Sequence, residues 1–226
     1  MLWDERAVRD NIRNRDGKRV FYQREGDTLT PSARDFLQRE RIAVLPASEA
    51  KPEKYRLLGG GWCEEKPEHM THLDGQLLVR KDHPRIRFRG AMDTLQAQLL
   101  LAGAGTKELL ELARKLIRCD VLGEPVGDFS LYGLTQAQQR KHSHFPQDYY
   151  GIPHFMPAYT DSRELLHLNL CRCAARAAEL AAVEAFVDGD GNVTRADILQ
   201  ALNRMSSMLY ILMLREKAGE KGCVKG

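Results

Sequence analysis

The sequence predicts a mainly α-helical protein, a bundle of about five helices behind an irregular N-terminal α+β extension. Three observations predict it. From Pro84 onward the chain reads as helix-length segments separated by short Gly, Pro and Asp punctuation. The last segment carries Ile198, Leu202, Met205, Leu209 and Leu212 at spacings of four, three, four and three, a single apolar stripe. Before residue 90 the apolar patches are short (Arg19 to Tyr22, Ile42 to Leu45, Gln76 to Val79) and lie among glycines and prolines, the pattern of brief strands.

Taken in order, Thr30-Pro31-Ser32 predicts the capped start of a short helix with Pro in its first turn. Ile86 to Ala102 and Thr106 to Cys119 are two helical segments parted by Gly103-Ala104-Gly105. Gln136 to His144 is a shorter third, and Asp161 to Val187 is long, with Asp161 or Ser162 as N-cap. The final helix follows a turn at Asp188 to Val193. Short connections between such helices favour a bundle with the stripes turned inward. The expected organisation is an extension over 1–80, a helical-bundle domain over 81–218 and a frayed tail over 219–226.

Composition excludes several classes. With 226 residues, 43% hydrophobic and 29% charged, the chain is an ordinary globular one, long enough to fold without disulfides. Thirty-four basic against thirty-one acidic side chains leave +3, too balanced to call for nucleic acid. No apolar run approaches the ~20 residues of a membrane span, and the charged start is unlike a signal peptide. Five cysteines at irregular spacing (63, 119, 171, 173 and 223) read as reduced thiols of a cytoplasmic chain.

Two motifs have competing readings. Asp188, Asp190 and Asp197 sit near calcium-loop spacing, but the first loop position falls on Phe186, which cannot ligate. A tight interhelical turn explains the same residues. His69 and His72, with Cys63 upstream, lack a cysteine partner at ligand spacing, so no metal site is expected.

The most informative pattern is on the long helix. Arg172, Arg176 and Glu179 fall at i, i+4 and i+7, a polar line on a helix otherwise rich in Ala, Leu and Cys. It is either a solvated face with an Arg–Glu pair or a wall of a cleft for polyphosphate, since guanidinium forks one turn apart suit phosphate oxygens. Asn203, Arg204 and Ser207 form a second polar edge beside the last helix's stripe.

Lys81-Asp82-His83-Pro84-Arg85-Ile86, then Phe88-Arg89-Gly90-Ala91-Met92-Asp93, resembles the start of the first bundle helix of PduO-type ATP:cob(I)alamin adenosyltransferases. The Arg172, Arg176, Glu179 line resembles that family's Arg-rich helix. Leu199 to Ser206 resembles its Leu-Asn-Arg-Leu-Ser signature. Leu29 to Arg34, Lys66 to Leu73 and Arg195 to Arg204 are closer still to the ethanolamine-utilisation (EutT) branch.

The resemblance implies a ferritin-like bundle that moves the 5′-deoxyadenosyl group of ATP onto the cobalt of reduced cobalamin, releasing triphosphate. It implies that Thr71, Lys81, Arg176 and Asn203 hold ATP with Mg²⁺ on the phosphates. Asp93 and Arg172 would form a buried pair, within or across subunits, and Glu179 would orient the cluster. Phe155 would fill the lower axial face of cobalt, with simple packing of that ring and cobalt ligation by His154 as the rival readings. It further implies a homo-oligomer in the cytoplasm or at a bacterial microcompartment, with a reductase or an adenosylcobalamin-dependent enzyme as partner and no nucleic acid or membrane. The chain departs from the PduO pattern where the Gly-rich phosphate loop is replaced by Lys66 to Thr71, and where two arginines become Ala177 and Leu180. Cys63 stands alone where some EutT relatives carry a metal-binding cysteine cluster. The alternative function is a non-enzymatic helical scaffold or calcium-binding module.

Overall fold

The computed structural model describes residues 1–15, 17–50 and 55–223. The described chain divides into two compact units, Met1–His83 and Pro84 onward.

The first unit is built from β1 (Leu2–Trp3), α1 (Glu5–Asp10), β2 (Arg13–Arg15), β3 (Lys18–Gln23), β4 (Thr28–Leu29), α2 (Pro31–Arg39), β5 (Ala43–Pro46), β6 (Tyr55–Leu57), β7 (Trp62–Cys63), β8 (Met70–Asp74) and β9 (Leu77–Arg80). Seven of these strands form one mixed sheet in the order β5-β3-β2-β7-β6-β9-β8, while β1 and β4 pair in parallel. The expected brief strands are therefore hydrogen-bonded into a sheet, a pairing between distant residues that local patterning does not encode. Thr30 caps α2, its hydroxyl accepting from the Ala33 N–H. Val8, Phe21, Ala33, Phe36 and Ile42 close a small core between α1, α2 and the sheet. Gly61 is required by space as well as by its φ of 84°, because a Cβ there would stand 2.1 Å from the Ile12 carbonyl oxygen.

The second unit holds α3 (Pro84–Ala102), α4 (Lys107–Leu122), a hairpin of β10 (Ser130–Leu131) and β11 (Leu134–Thr135), α5 (Gln136–His144), α6 (Pro146–Tyr150), α7 (Arg163–Phe186) and α8 (Ala196–Cys223). Helix α7 packs against both α3 and α8, α4 packs on α3, and α5 and α6 pack on α8. Ala175, Ala178 and Ala182 are fully buried on α7, and such small side chains let the neighbouring helices approach closely. Ile198, Leu202, Met205 and Leu209 of the predicted stripe are all buried in the same core as Phe88, Met92, Leu95 and Leu99 of α3. Thr135 opens α5 with a reciprocal capping box to Gln138, and Ser162 caps α7. Helix α8 continues through Cys223, past the expected start of a frayed tail at 219; residues 224–226 lie outside the described residues.

Partly buried ion pairs tie α3, α4 and the start of α8 together. The Asp120 carboxylate, fully buried at the end of α4, accepts from Arg85 at 2.7 and 3.0 Å and from Arg89 at 2.8 Å. Arg195 clamps both Asp197 oxygens at 3.0 Å and also donates to the carbonyls of Cys119 and Glu124.

Candidate active site

The chemistry-bearing residues converge on one cavity of the second unit, of about 710 Å³, within the range of small-molecule sites. Helix α7 contributes Arg172, Cys173 and Arg176; α8 contributes Asn203, Ser206, Ser207 and Tyr210; the loop after α6 contributes His154 and Phe155. Arg172 and Arg176 face it together because they stand one turn apart, while Cys171, Ala175 and Ala178 on another face of the helix turn into the core. A larger cavity of about 970 Å³ shares Asn203 and is lined also by Phe129, Arg140 and Arg204. The smaller one is the candidate site because it brings both arginines of the polar line against an aromatic loop.

The cations are not neutralised by acids. Neither Arg172 nor Arg176 has a carboxylate partner among the described residues, and no carboxylate lines the cavity. The solvated Arg–Glu pair that would have explained the polar line is not formed. Instead, Glu179 accepts from the Asn203 amide at 3.0 Å, and the Asn203 carbonyl accepts from Arg204. Arg204 is held below the usual arginine range by burial and by the nearby Arg140 charge, with Glu179 opposing. The Arg172 guanidinium lies over the Tyr210 ring, 5.4 Å from its centre.

The loop is stitched to the same tyrosine. Tyr210 Oη lies 3.1 Å from His154 Nδ1 and 3.4 Å from the Phe155 backbone nitrogen. His154 Nε2 lies 3.3 Å from the His144 carbonyl oxygen. The carbonyl can only accept, so the Nε2 contact calls for a proton on that nitrogen, and Nδ1 meets the tyrosine hydroxyl. Both ring nitrogens of His154 are therefore engaged within the chain. Phe155 is half-buried, packs against Tyr210 and also lines the cavity. The neighbouring thiol of Cys171 is buried, and burial pushes it up to about 11, which removes it as a nucleophile.

Other expected site residues lie elsewhere. Asp93 is exposed on α3, one position beyond the buried Met92 and therefore turned out of the core. The buried Asp93–Arg172 pair is thus not formed within the chain. Thr71 sits half-buried on β8, and Lys81 follows β9 with an exposed side chain, both in the first unit. The calcium reading also fails. Asp188 accepts from the backbone of Asp190 and Asn192 in a tight turn, and Asp197 is taken by Arg195 and the Val126 N–H. Among the described residues no group of three His, Cys, Asp or Glu side chains could hold a metal, and no helix is long and apolar enough to cross a membrane.

The cobalamin adenosyltransferase model matches residues 62–216, more than half the chain. The chain belongs to the cobalamin adenosyltransferase family. It is 31% identical to the corrinoid adenosyltransferase EutT of Escherichia coli (strain K12), over 82% of this chain and 81% of that one. The same figures hold for the corrinoid adenosyltransferase EutT of Salmonella typhimurium. Among solved structures, a variant PduO-type ATP:corrinoid adenosyltransferase from Lactobacillus reuteri, complexed with cobalamin and ATP, superposes with a TM-score of 0.50. It shares 16% identity and covers 68% of this chain and 91% of that one, a likeness of fold. Sequence reasoning had placed Arg172, Arg176, Asn203 and Phe155 at the family's site; it missed Tyr210. The signal for Tyr210 was its place seven residues after Asn203, two turns along the same face of α8.

Proposed function

We propose that the protein transfers the 5′-deoxyadenosyl group of ATP to the cobalt of a reduced corrinoid, giving adenosylcobalamin and triphosphate. The observation that carries this reading is a cavity with two acid-free guanidinium groups on one wall and a half-buried aromatic loop on the other, in a chain of this family. In the reaction Co(I) supplies the electron pair that forms the Co–C5′ bond. The C5′–O bond breaks, and its electron pair leaves on the triphosphate. No protein nucleophile or base is needed, so the protein contributes positioning and charge stabilisation.

In this reading Arg176 and Asn203 hold the phosphates, and Glu179 fixes the Asn203 amide. Phe155 occupies the lower axial face of cobalt and keeps water and donor ligands away. Asp93 meets Arg172 of a second subunit. A homo-oligomer is supported by the exposure of Leu100, Leu101 and Leu180 on α3 and α7, apolar side chains that a partner copy would cover. Mg²⁺ would be held by the triphosphate oxygens and water, since no carboxylate lines the cavity; it would screen the leaving charge. The helices of 81–218 make up a ferritin-like catalytic domain, with 1–80 as its extension. The setting is ethanolamine utilisation in the cytoplasm or at a microcompartment, with a reductase or an adenosylcobalamin-dependent enzyme as partner.

The test is to mix the protein with ATP, Mg²⁺ and chemically reduced cob(I)alamin and to follow the corrinoid spectrum. Conversion to adenosylcobalamin with one triphosphate released per turnover is expected. No conversion overturns the assignment.

A further inference from the structure

Tyr210 touches both halves of the cavity. Its ring lies under the Arg172 guanidinium at 5.4 Å and stacks on Phe155 with 5.9 Å between centres and 27° between planes. Its hydroxyl meets two successive loop residues, the Nδ1 of His154 at 3.1 Å and the N–H of Phe155 at 3.4 Å. His154 passes the link on to the His144 carbonyl at the end of α5. We propose that Tyr210 is a positioning residue for the cobalt step, its hydroxyl fixing where Phe155 stands in the cavity while its ring supports Arg172. The inference rests on the corrinoid reading of this cavity.

Packing alone does not account for the hydroxyl. Tyr210 is 9% exposed, in a cluster with Ile152, Leu165, Met213 and Leu214. Phenylalanine would satisfy that apolar cluster as well, and a buried hydroxyl is unfavourable unless bonded. Ring stacking tolerates sliding, because dispersion changes little over small lateral shifts. Two directional bonds from one oxygen to adjacent residues do not. They set the height and the direction of the loop backbone, and so the place of the Phe155 ring. A ring that is misplaced leaves axial space into which water or a base can bind cobalt. That would hinder formation of Co(I) from Co(II) but not attack by Co(I) already formed.

The deciding variant is Tyr210→Phe, which keeps the ring and removes only the oxygen. The ratio of turnover from pre-reduced Co(I) to turnover from Co(II) plus reductant should rise about tenfold, equivalent to about 1.4 kcal/mol. The electron paramagnetic resonance spectrum of bound Co(II) with ATP should show less of the four-coordinate species. His154→Ala, an exposed loop change that leaves Tyr210 in place, should move both readouts in the same direction. The double variant should fall short of the product of the two effects, because they share one bond. A ratio within about twofold of wild type in both single variants, or an unchanged Co(II) spectrum, overturns the proposal. If wild type itself makes no adenosylcobalamin from either start, the adenosyltransferase reading fails instead.

Discussion

The Asn203 amide nitrogen sits 3.0 Å from the Glu179 carboxylate, across the contact between α8 and α7. The other end of the same amide accepts from Arg204. Held at both ends, Asn203 cannot flip, and its remaining N–H is fixed in direction towards one side of the helix pair. Glu179 therefore acts on the cavity through another residue.

Glu179→Ala should raise the ATP KM about tenfold with little change in Tm, because it frees the amide we propose for phosphate binding. Glu179→Gln keeps an acceptor for the amide and should recover most of the loss. Equal damage by both substitutions would show that the charge of Glu179, not its grip on Asn203, is what matters.

Arg176→Ala should lower kcat/KM for ATP by about 10- to 100-fold, the scale of one charge-assisted contact of about 1.5–3 kcal/mol. Arg176 is exposed and has no ion pair among the described residues, so Tm should stay within about 2 °C of wild type. Unchanged kinetics would remove Arg176 from the site.

How far the sequence discloses this site depends on the range of each interaction. Periodicity places the stripe from Ile198 to Leu209 because helices are written in local spacing. It placed Arg172 and Arg176 on one face for the same reason. The seven-stranded sheet escaped it, since β3 pairs with β5 and β2 with β7, and register between distant strands leaves no local mark. The Asp120 cluster escaped it too, because Arg85 and Arg89 reach a carboxylate more than thirty residues away. Arg85 and Arg195 lie inside the motifs that resemble the family, yet here both make structural ion pairs.

Asp120→Ala should destabilise the fold by about 3–5 kcal/mol, because it removes the buried carboxylate that two partly buried guanidinium groups share. Urea unfolding measures this. A loss below about 1 kcal/mol would mean that water replaces the carboxylate without cost.

Acid stability should carry the mark of Asp197. The bonds from Arg195, together with the Val126 N–H, hold its carboxyl down to about 2 against the opposing effect of burial. The folded value lies below the unfolded value of about 3.9, so the contribution is complete above pH ~4. It is lost as the pH falls towards about 2. Asp197→Asn should therefore lower Tm at neutral pH, and the gap from wild type should close between about pH 4 and pH 2. A gap independent of pH would assign the effect to shape rather than charge.

Asp93 and Arg172 should complement each other between chains. Within one chain Asp93 is exposed and Arg172 rests on Tyr210, so neither Ala variant leaves a newly buried charge, and each should fold. If the carboxylate meets the guanidinium of a second subunit, both homogeneous variants should lose activity together with assembly. Coexpression of Asp93→Ala with Arg172→Ala then creates interfaces of two kinds. Where the chain lacking Asp93 supplies the arginine and the chain lacking Arg172 supplies the aspartate, the pair is complete. Part of the turnover and part of the oligomer should return in that mixture. Size-exclusion chromatography and the spectral assay read the two effects separately. Recovery of neither would confine Arg172 to its place over Tyr210 and leave Asp93 as a solvated surface charge.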